Sequence, residues 1–222
     1  EIPTDVAIAS ILHKVAAKHN IKFIIGGGNY ATEGILPKSW FYDPKDLKLL
    51  KAIQKKFGTR KIKTFPTFDW KAEIYYKIFR GIKIVYILNL LPYNKSDALT
   101  LLKEKVGYHE YGGKHHESVY TRFVQSYIQP VKFNLDYRRA TFSSQICSGE
   151  ITRDEALALL ENQSYNNDQV NKDKDYASKK FGISLEEFES ILNAPAKSYR
   201  DYPNQEKWLT FIYRIYKRIY KR

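Results

Sequence analysis

The chain predicts an α/β fold in which an incomplete parallel sheet precedes a mostly α-helical C-terminal region. Three observations predict it. The run Ile21-Lys22-Phe23-Ile24-Ile25 has no sustained polar alternation and follows a helix-patterned segment, as a strand buried on both faces of a parallel sheet does. That strand enters three glycines and then a carboxylate, in Ile24-Ile25-Gly26-Gly27-Gly28-Asn29-Tyr30-Ala31-Thr32-Glu33-Gly34. Downstream, helix starts and stops follow one another with few strand signals between them.

The first element is a helix with apolar residues Val6, Ile8, Ile11, Leu12 and Val15, for which Thr4 or Asp5 is the expected N-cap. The glycine segment is next. Glycines let backbone N–H groups approach an anion, and Glu33 stands at the far side as a metal ligand or orienting group. The pattern matches neither the Walker loop nor the dinucleotide fingerprint. Asp43-Pro44 predicts a helix start with proline at the first helical position, and Gly58 its stop. Residues 71 to 80 read as helix, and residues 82 to 91 fit either helix or strand. Ser96 is the expected cap of a helix ending at Val106 before Gly107.

Further helices are predicted over residues 117 to 128, 135 to 147, 153 to 162, 168 to 181, 185 to 193 and 204 to 221. Thr152 with Glu155 and Ser184 with Glu187 have capping-box spacing. Two prolines, Pro195 and Pro203, separate a last helix in which Trp208, Phe211, Ile212, Ile215, Tyr216, Ile219 and Tyr220 alternate with a basic face. Such a stripe docks on its own domain, on a partner helix or on an anionic membrane surface. The expected division is residues 1–92, 93–194 and 195–222: sheet-bearing part, helical substrate-binding region and basic aromatic arm.

The 222 residues carry 37 Lys and Arg against 24 Asp and Glu, for a net charge of +13. That surplus favours anionic partners without choosing among them. A single cysteine, Cys147, excludes an internal disulfide framework and a multi-cysteine zinc site. It is expected to be a small core residue. No apolar run reaches the roughly 20 residues that span a bilayer, and no secretory signal is apparent, so a cytoplasmic location is expected. The chain contains no methionine, and is expected to be a fragment.

Two further segments carry chemistry. In Tyr108-His109-Glu110-Tyr111-Gly112-Gly113-Lys114-His115-His116-Glu117-Ser118, Lys114 can neutralise phosphate or a developing oxyanion, and His115 or His116 can move protons. The alternative is a polar loop whose histidines cap the next helix. The spacing does not fit a helical zinc motif. In Asp136-Tyr137-Arg138-Arg139-Ala140-Thr141-Phe142-Ser143-Ser144-Gln145-Ile146-Cys147-Ser148-Gly149-Glu150, paired arginines clamp phosphate or bridge to Asp136 or Glu150.

Taken in order, GGGNYATEGILPKSW, YGGKHHESVYTRFVQSYIQPVKF and DYRRATFSSQICSGEITRDEAL resemble the bacterial N-acetyl sugar amidotransferases of surface-polysaccharide and lipopolysaccharide (O-antigen) biosynthesis, from about Glu1 to Pro203. The resemblance implies an ATP pyrophosphatase (PP-loop, adenine nucleotide α hydrolase-like) core akin to the synthetase half of asparagine synthetase. It implies ATP and Mg²⁺ as cofactors, adenylation of a sugar acetamido oxygen, and its replacement by ammonia to give an acetamidino sugar. The expected partners are a nucleotide-linked N-acetyl sugar, a glutaminase resembling that of histidine biosynthesis, and a cyclase-like barrel; nucleic acid is not expected.

By position, Gly26, Gly27, Gly28 and Asn29 would line the nucleotide, with Thr32 and Glu33 toward the phosphates or Mg²⁺. Lys114, His115 and Glu117 would be catalytic. His116, Arg122, Arg138 and Arg139 would bind the sugar nucleotide. The family usually has Lys and His where this chain has Tyr137 and Thr141. The family's SGG-x-DS pyrophosphate loop and cysteine-rich ribbon do not occur in these residues, so the 222 residues alone are expected not to adenylate. Two other functions fit the charge: an RNA-modifying ATP pyrophosphatase, such as a thiolase or amide ligase, and a noncatalytic basic module that binds RNA or protein.

Overall fold

A computed structural model describes residues 2–40, 42–109 and 118–220. In chain order they form α1 (Ile2–Lys18), β1 (Phe23–Gly26), α2 (Tyr30–Glu33), α3 (Leu47–Phe57), α4 (Trp70–Ile74), β2 (Lys83–Tyr86) and α5 (Lys95–Val106). Then come α6 (Val119–Phe123), α7 (Gln129–Phe133), α8 (Tyr137–Ser148), α9 (Arg153–Glu161), α10 (Asn167–Phe181), α11 (Leu185–Asn193) and α12 (Glu206–Tyr220). Single π turns at Tyr75–Phe79 and Val124–Ile128 continue α4 and α6. The described residues are mostly helical, with a two-stranded parallel sheet.

The chain divides into two compact units. The first comprises residues 1–26, 41–86 and 197–222, so the C-terminal helix belongs with the N-terminal segments. Its core is Val6, Leu50 and Phe68, packed by Ala9, Leu47, Ile62, Phe65, Ala72 and Tyr76. His13 is buried against Phe68 and Tyr76, with ring centroids 4.8 and 5.5 Å away, and its Nδ1 lies 2.8 Å from the Ala9 carbonyl oxygen.

Helix α1 begins at Ile2, so Thr4 and Asp5 lie inside its first turn and do not cap it. The expected start of α3 at Asp43-Pro44 is also corrected: Asp46 is the N-cap, and its carboxylate accepts from Leu49 N at 2.9 Å. Asp43 instead closes a turn, accepting from Lys45 N at 2.8 Å and from the Tyr213 hydroxyl at 2.7 Å. A carboxylate recruited by a distant hydroxyl in this way leaves the cap to the next one along the chain.

Strands β1 and β2 pair in parallel, Phe23 with Lys83 through Gly26 with Tyr86. This settles the segment over residues 82 to 91 as a strand followed by one 3-10 turn, Ile87–Asn89. The expectation that β1 is buried on both faces does not hold, because Phe23 is 63 % and Ile25 70 % exposed. Two strands have too few neighbours to cover their own apolar side chains. Gly26 permits a close approach, since a Cβ there would meet the Tyr86 ring at 3.0 Å.

The second unit comprises residues 27–40 and 87–196. Phe123, Val170, Ala177 and Phe188 form its core, with Tyr127, Ile128, Tyr165, Ile183 and Leu192 against it. Asn94 caps α5 in place of Ser96, accepting from Asp97 N at 3.1 Å. The capping boxes at Thr152 with Glu155 and Ser184 with Glu187 both form as the spacing predicts. Helices α5, α8 and α10 stop at Gly107, Gly149 and Gly182, each in the left-handed conformation.

Candidate functional site

Within the second unit, the segment that follows the glycines packs on α8 and bounds a cavity of about 490 Å³. Two of the three sequence motifs therefore meet. Asn29 caps the single-turn α2, its side-chain oxygen accepting from Thr32 N at 2.9 Å and from the Thr32 hydroxyl at 3.0 Å. Tyr30 N donates to Asn89 Oδ1 at 2.8 Å, which joins α2 to the turn after β2. The chain turns out of α2 at Gly34, where a Cβ would lie 2.6 Å from the Tyr30 carbonyl oxygen. Only glycine fits that approach without displacing the helix.

On the α8 side, the hydroxyl of buried Ser144 accepts from Ile35 N at 3.0 Å and donates to the Ala140 carbonyl at 3.0 Å. Ser148 donates to the carbonyls of Gln145 and Ala31, at 3.1 and 3.3 Å. Residues 144, 147 and 148 share one helix face, so these bonds bring Cys147 to the cavity as well. Cys147 is exposed, which corrects its expected place in the core. The third wall is Leu88, Asn89, Leu91 and Tyr93. Burial, reinforced by the carboxylates of Glu150 and Glu33, raises the Tyr93 pKa, so its hydroxyl stays protonated as a donor.

The described lining is apolar, aromatic and neutral polar. Tyr30, Tyr93, Ile35, Leu88 and Leu91 offer apolar and aromatic surface, and Asn29, Asn89 and Ser148 offer neutral polar groups. Asn29 and Asn89 each use the amide oxygen as an acceptor for backbone N–H groups, which leaves the NH₂ as the group a ligand can receive. Among the described residues the lining contains no Lys or Arg, and Glu33 and Glu150 contribute negative potential beside Tyr93. Among the described residues, no group of three or more His, Cys, Asp or Glu side chains could hold a metal ion.

The predicted site residues are distributed as follows. Asn29 lines the cavity, and Thr32 and Glu33 belong to the same short helix. Gly26 ends β1 in the first unit, whereas Gly27 and Gly28 begin the second. Gly27 has open space where a Cβ would be. Arg122 is paired with Asp173, Nη2 to Oδ1 at 2.7 Å, and Gln169 donates to the same oxygen at 2.9 Å. Arg138 forks onto Asp136, with Nη2 to Oδ2 at 2.8 Å, and its Nη1 donates to the Asn162 carbonyl at 2.8 Å. Burial opposes ionisation of Asp136, but Arg138 holds its pKa below the ordinary value. Arg139 is exposed. Lys114, His115, His116 and Glu117 lie outside the described residues.

Sequence reasoning did not single out Ser144, Ser148, Asn89 or Tyr93. The three-to-four-residue spacing of 144, 147 and 148 was the available signal for α8, and nothing local marks Asn89 or Tyr93, which reach the cavity only through tertiary structure.

Residues 117–219 match the family model described as LPS biosynthesis protein WbpG-like, C-terminal domain. Over that stretch the chain is similar to the C-terminal domain of a lipopolysaccharide biosynthesis protein. No curated protein and no solved structure gives a match to the chain.

Proposed function

We propose that the chain is the substrate-binding, C-terminal part of an ATP-dependent N-acetyl sugar amidotransferase in lipopolysaccharide biosynthesis, with a nucleotide-linked N-acetyl sugar as substrate. The observation that carries this reading is the neutral, aromatic and amide-lined cavity between α2 and α8. An acetamido group combines a methyl, which prefers apolar walls, with a carbonyl that accepts hydrogen bonds from an amide NH₂ or a phenol. Leu88, Leu91 and Ile35 suit the methyl; Asn29, Asn89 and Tyr93 suit the carbonyl and the ring hydroxyls.

The match of residues 117–219 to an LPS biosynthesis domain supports the pathway, and the resemblance of the three motifs supports the reaction class. In this proposal the described residues bind and orient the acyl sugar, and the phosphate chemistry belongs to elements outside them. Arg139 and Lys114 are the proposed contacts to the substrate diphosphate. Glutaminase-derived ammonia is the proposed nitrogen donor.

The test is saturation-transfer NMR of the chain with a UDP-linked N-acetyl sugar. The acetyl methyl should receive the strongest saturation, and Leu91→Arg, at an exposed residue of the cavity wall, should abolish the effect while circular dichroism stays unchanged. An absence of transfer to the acetyl methyl overturns the assignment of this cavity.

A further inference from the structure

In the first unit, α4 with its π continuation and α12 bound a groove of about 520 Å³ that the proposed chemistry does not use. Trp70, Ile74 and Ile78 form one wall, and Trp208, Phe211 and Ile215 the other. The walls are open to solvent: Phe211 is 50 %, Ile78 49 % and Trp208 48 % exposed. Trp70 and Trp208 meet edge to face at 6.1 Å, which fixes two indoles at the groove.

The charges around this apolar surface have one prevailing sign. Lys207, Arg214, Lys217 and Arg218 are exposed along α12, and exposed Lys71 lies over the Trp70 ring at 5.6 Å. The carboxylate lining the groove, Glu73, is held by Lys77 at 2.6 Å and Lys45 at 2.9 Å. The acidic residue of α12, Glu206, is held by Arg200 at 2.6 Å. What remains to face outward is cationic.

We propose that this face of the first unit docks on an anionic lipid bilayer, with Trp208, Phe211 and Ile215 entering the acyl boundary while Arg214, Lys217 and Arg218 meet lipid phosphates. Tryptophan beside aliphatic groups, flanked by arginine and lysine, matches the interface between headgroups and acyl chains. The cationic rim selects an anionic surface. No helix among the described residues is long and apolar enough to cross a membrane, consistent with association at the surface. This inference does not depend on the substrate proposed above.

The full chain is tested by sedimentation with vesicles of phosphatidylcholine alone or of an equal mixture with phosphatidylglycerol. Binding should be at least about tenfold stronger to the mixed vesicles and should weaken with salt. Arg214→Gln with Lys217→Gln and Arg218→Gln should weaken it about 100-fold. Phe211→Ser with Ile215→Ser should weaken it at least about tenfold. Equal binding to both vesicles, or full binding by the serine variant, overturns the proposal. A groove that instead receives a partner protein predicts no vesicle binding, which also overturns it. Quenching of the unmodified chain's tryptophan fluorescence by brominated lipid gives a readout independent of variant folding. Quenching is expected, and its absence in anionic vesicles rejects insertion.

Discussion

The Tyr213 hydroxyl donates a 2.7 Å hydrogen bond to the Asp43 carboxylate, 170 residues away along the chain. Lys45 lies over the same ring at 5.0 Å, and the Gln205 amide donates to Asp46 at the start of α12. The last helix is thereby fastened to the turn and cap that begin α3. Its buried anchor is Leu209, 2 % exposed.

Replacing Tyr213 by Phe should cost about 1.5 kcal/mol, since a hydrogen bond to a charged group is lost with little change in packing. Thermal melting should fall by roughly 3–6 °C. Burial, then the Asp43 bond and charge, push the Tyr213 pKa far above its ordinary value of 10.0. The unfolded chain therefore releases this proton first as pH rises. The pair's contribution is intact below pH 10.0 and declines above it. A melting series above pH 10 should show a shallower decline for the Phe variant, and equal slopes would exclude the linkage.

The Arg122–Asp173 pair predicts an asymmetric response, because Asp173 is 4 % exposed. Arg122→Met strands a buried carboxylate and should destabilise the second unit by about 3 kcal/mol. Adding Asp173→Leu should restore most of that loss. Chemical denaturation of both variants measures it, and a double variant as unstable as the single one would count against the ion pair as the cause.

Cys147 should react with a thiol reagent in the folded chain, because it is exposed on the cavity face of α8. A UDP-linked N-acetyl sugar should slow that reaction at least about tenfold if it occupies the cavity with a free-ligand concentration near ten times its Kd. Unchanged labelling kinetics at saturating sugar would dissociate substrate binding from this cavity.

Glu206 should still be ionised in acid solution. Hydrogen bonds from Arg200 and Tyr199 hold its folded pKa at about 2, against an ordinary 4.5. The stabilisation is present above pH 4.5 and is lost as pH falls toward about 2. Carboxyl NMR titration locates the midpoint, and a midpoint near 4.5 would mean that the Arg200 contact does not persist in solution.

What the sequence discloses here depends on how local the determining interaction is. Both capping boxes and the stops at Gly58 and Gly107 are set within one helical turn, and they form where the pattern places them. The start of α3 moves from Pro44 to Leu47 because Tyr213 engages Asp43 from the far end of the chain. Cys147 fails as a core residue for a similar reason: it shares the helix face on which Ser144 bonds Ile35 N, and that face lines the cavity. The glycine segment was legible as a place where backbones come close. That its neighbours across the cavity would be Asn89, Tyr93 and the serines of α8 was not, because no periodicity links residues brought together by tertiary contact.

Arg138 ties the N-cap of α8 to the carbonyl end of α9, using separate faces of one guanidinium for Asp136 and Asn162. A lysine would preserve the charge and lose the fork, so related chains should keep arginine here even where their substrates differ. Invariance at this position across an alignment would thus record the joining of two helices. Conservation would have to be weighed against that splint before it could be counted as a sign of phosphate recognition.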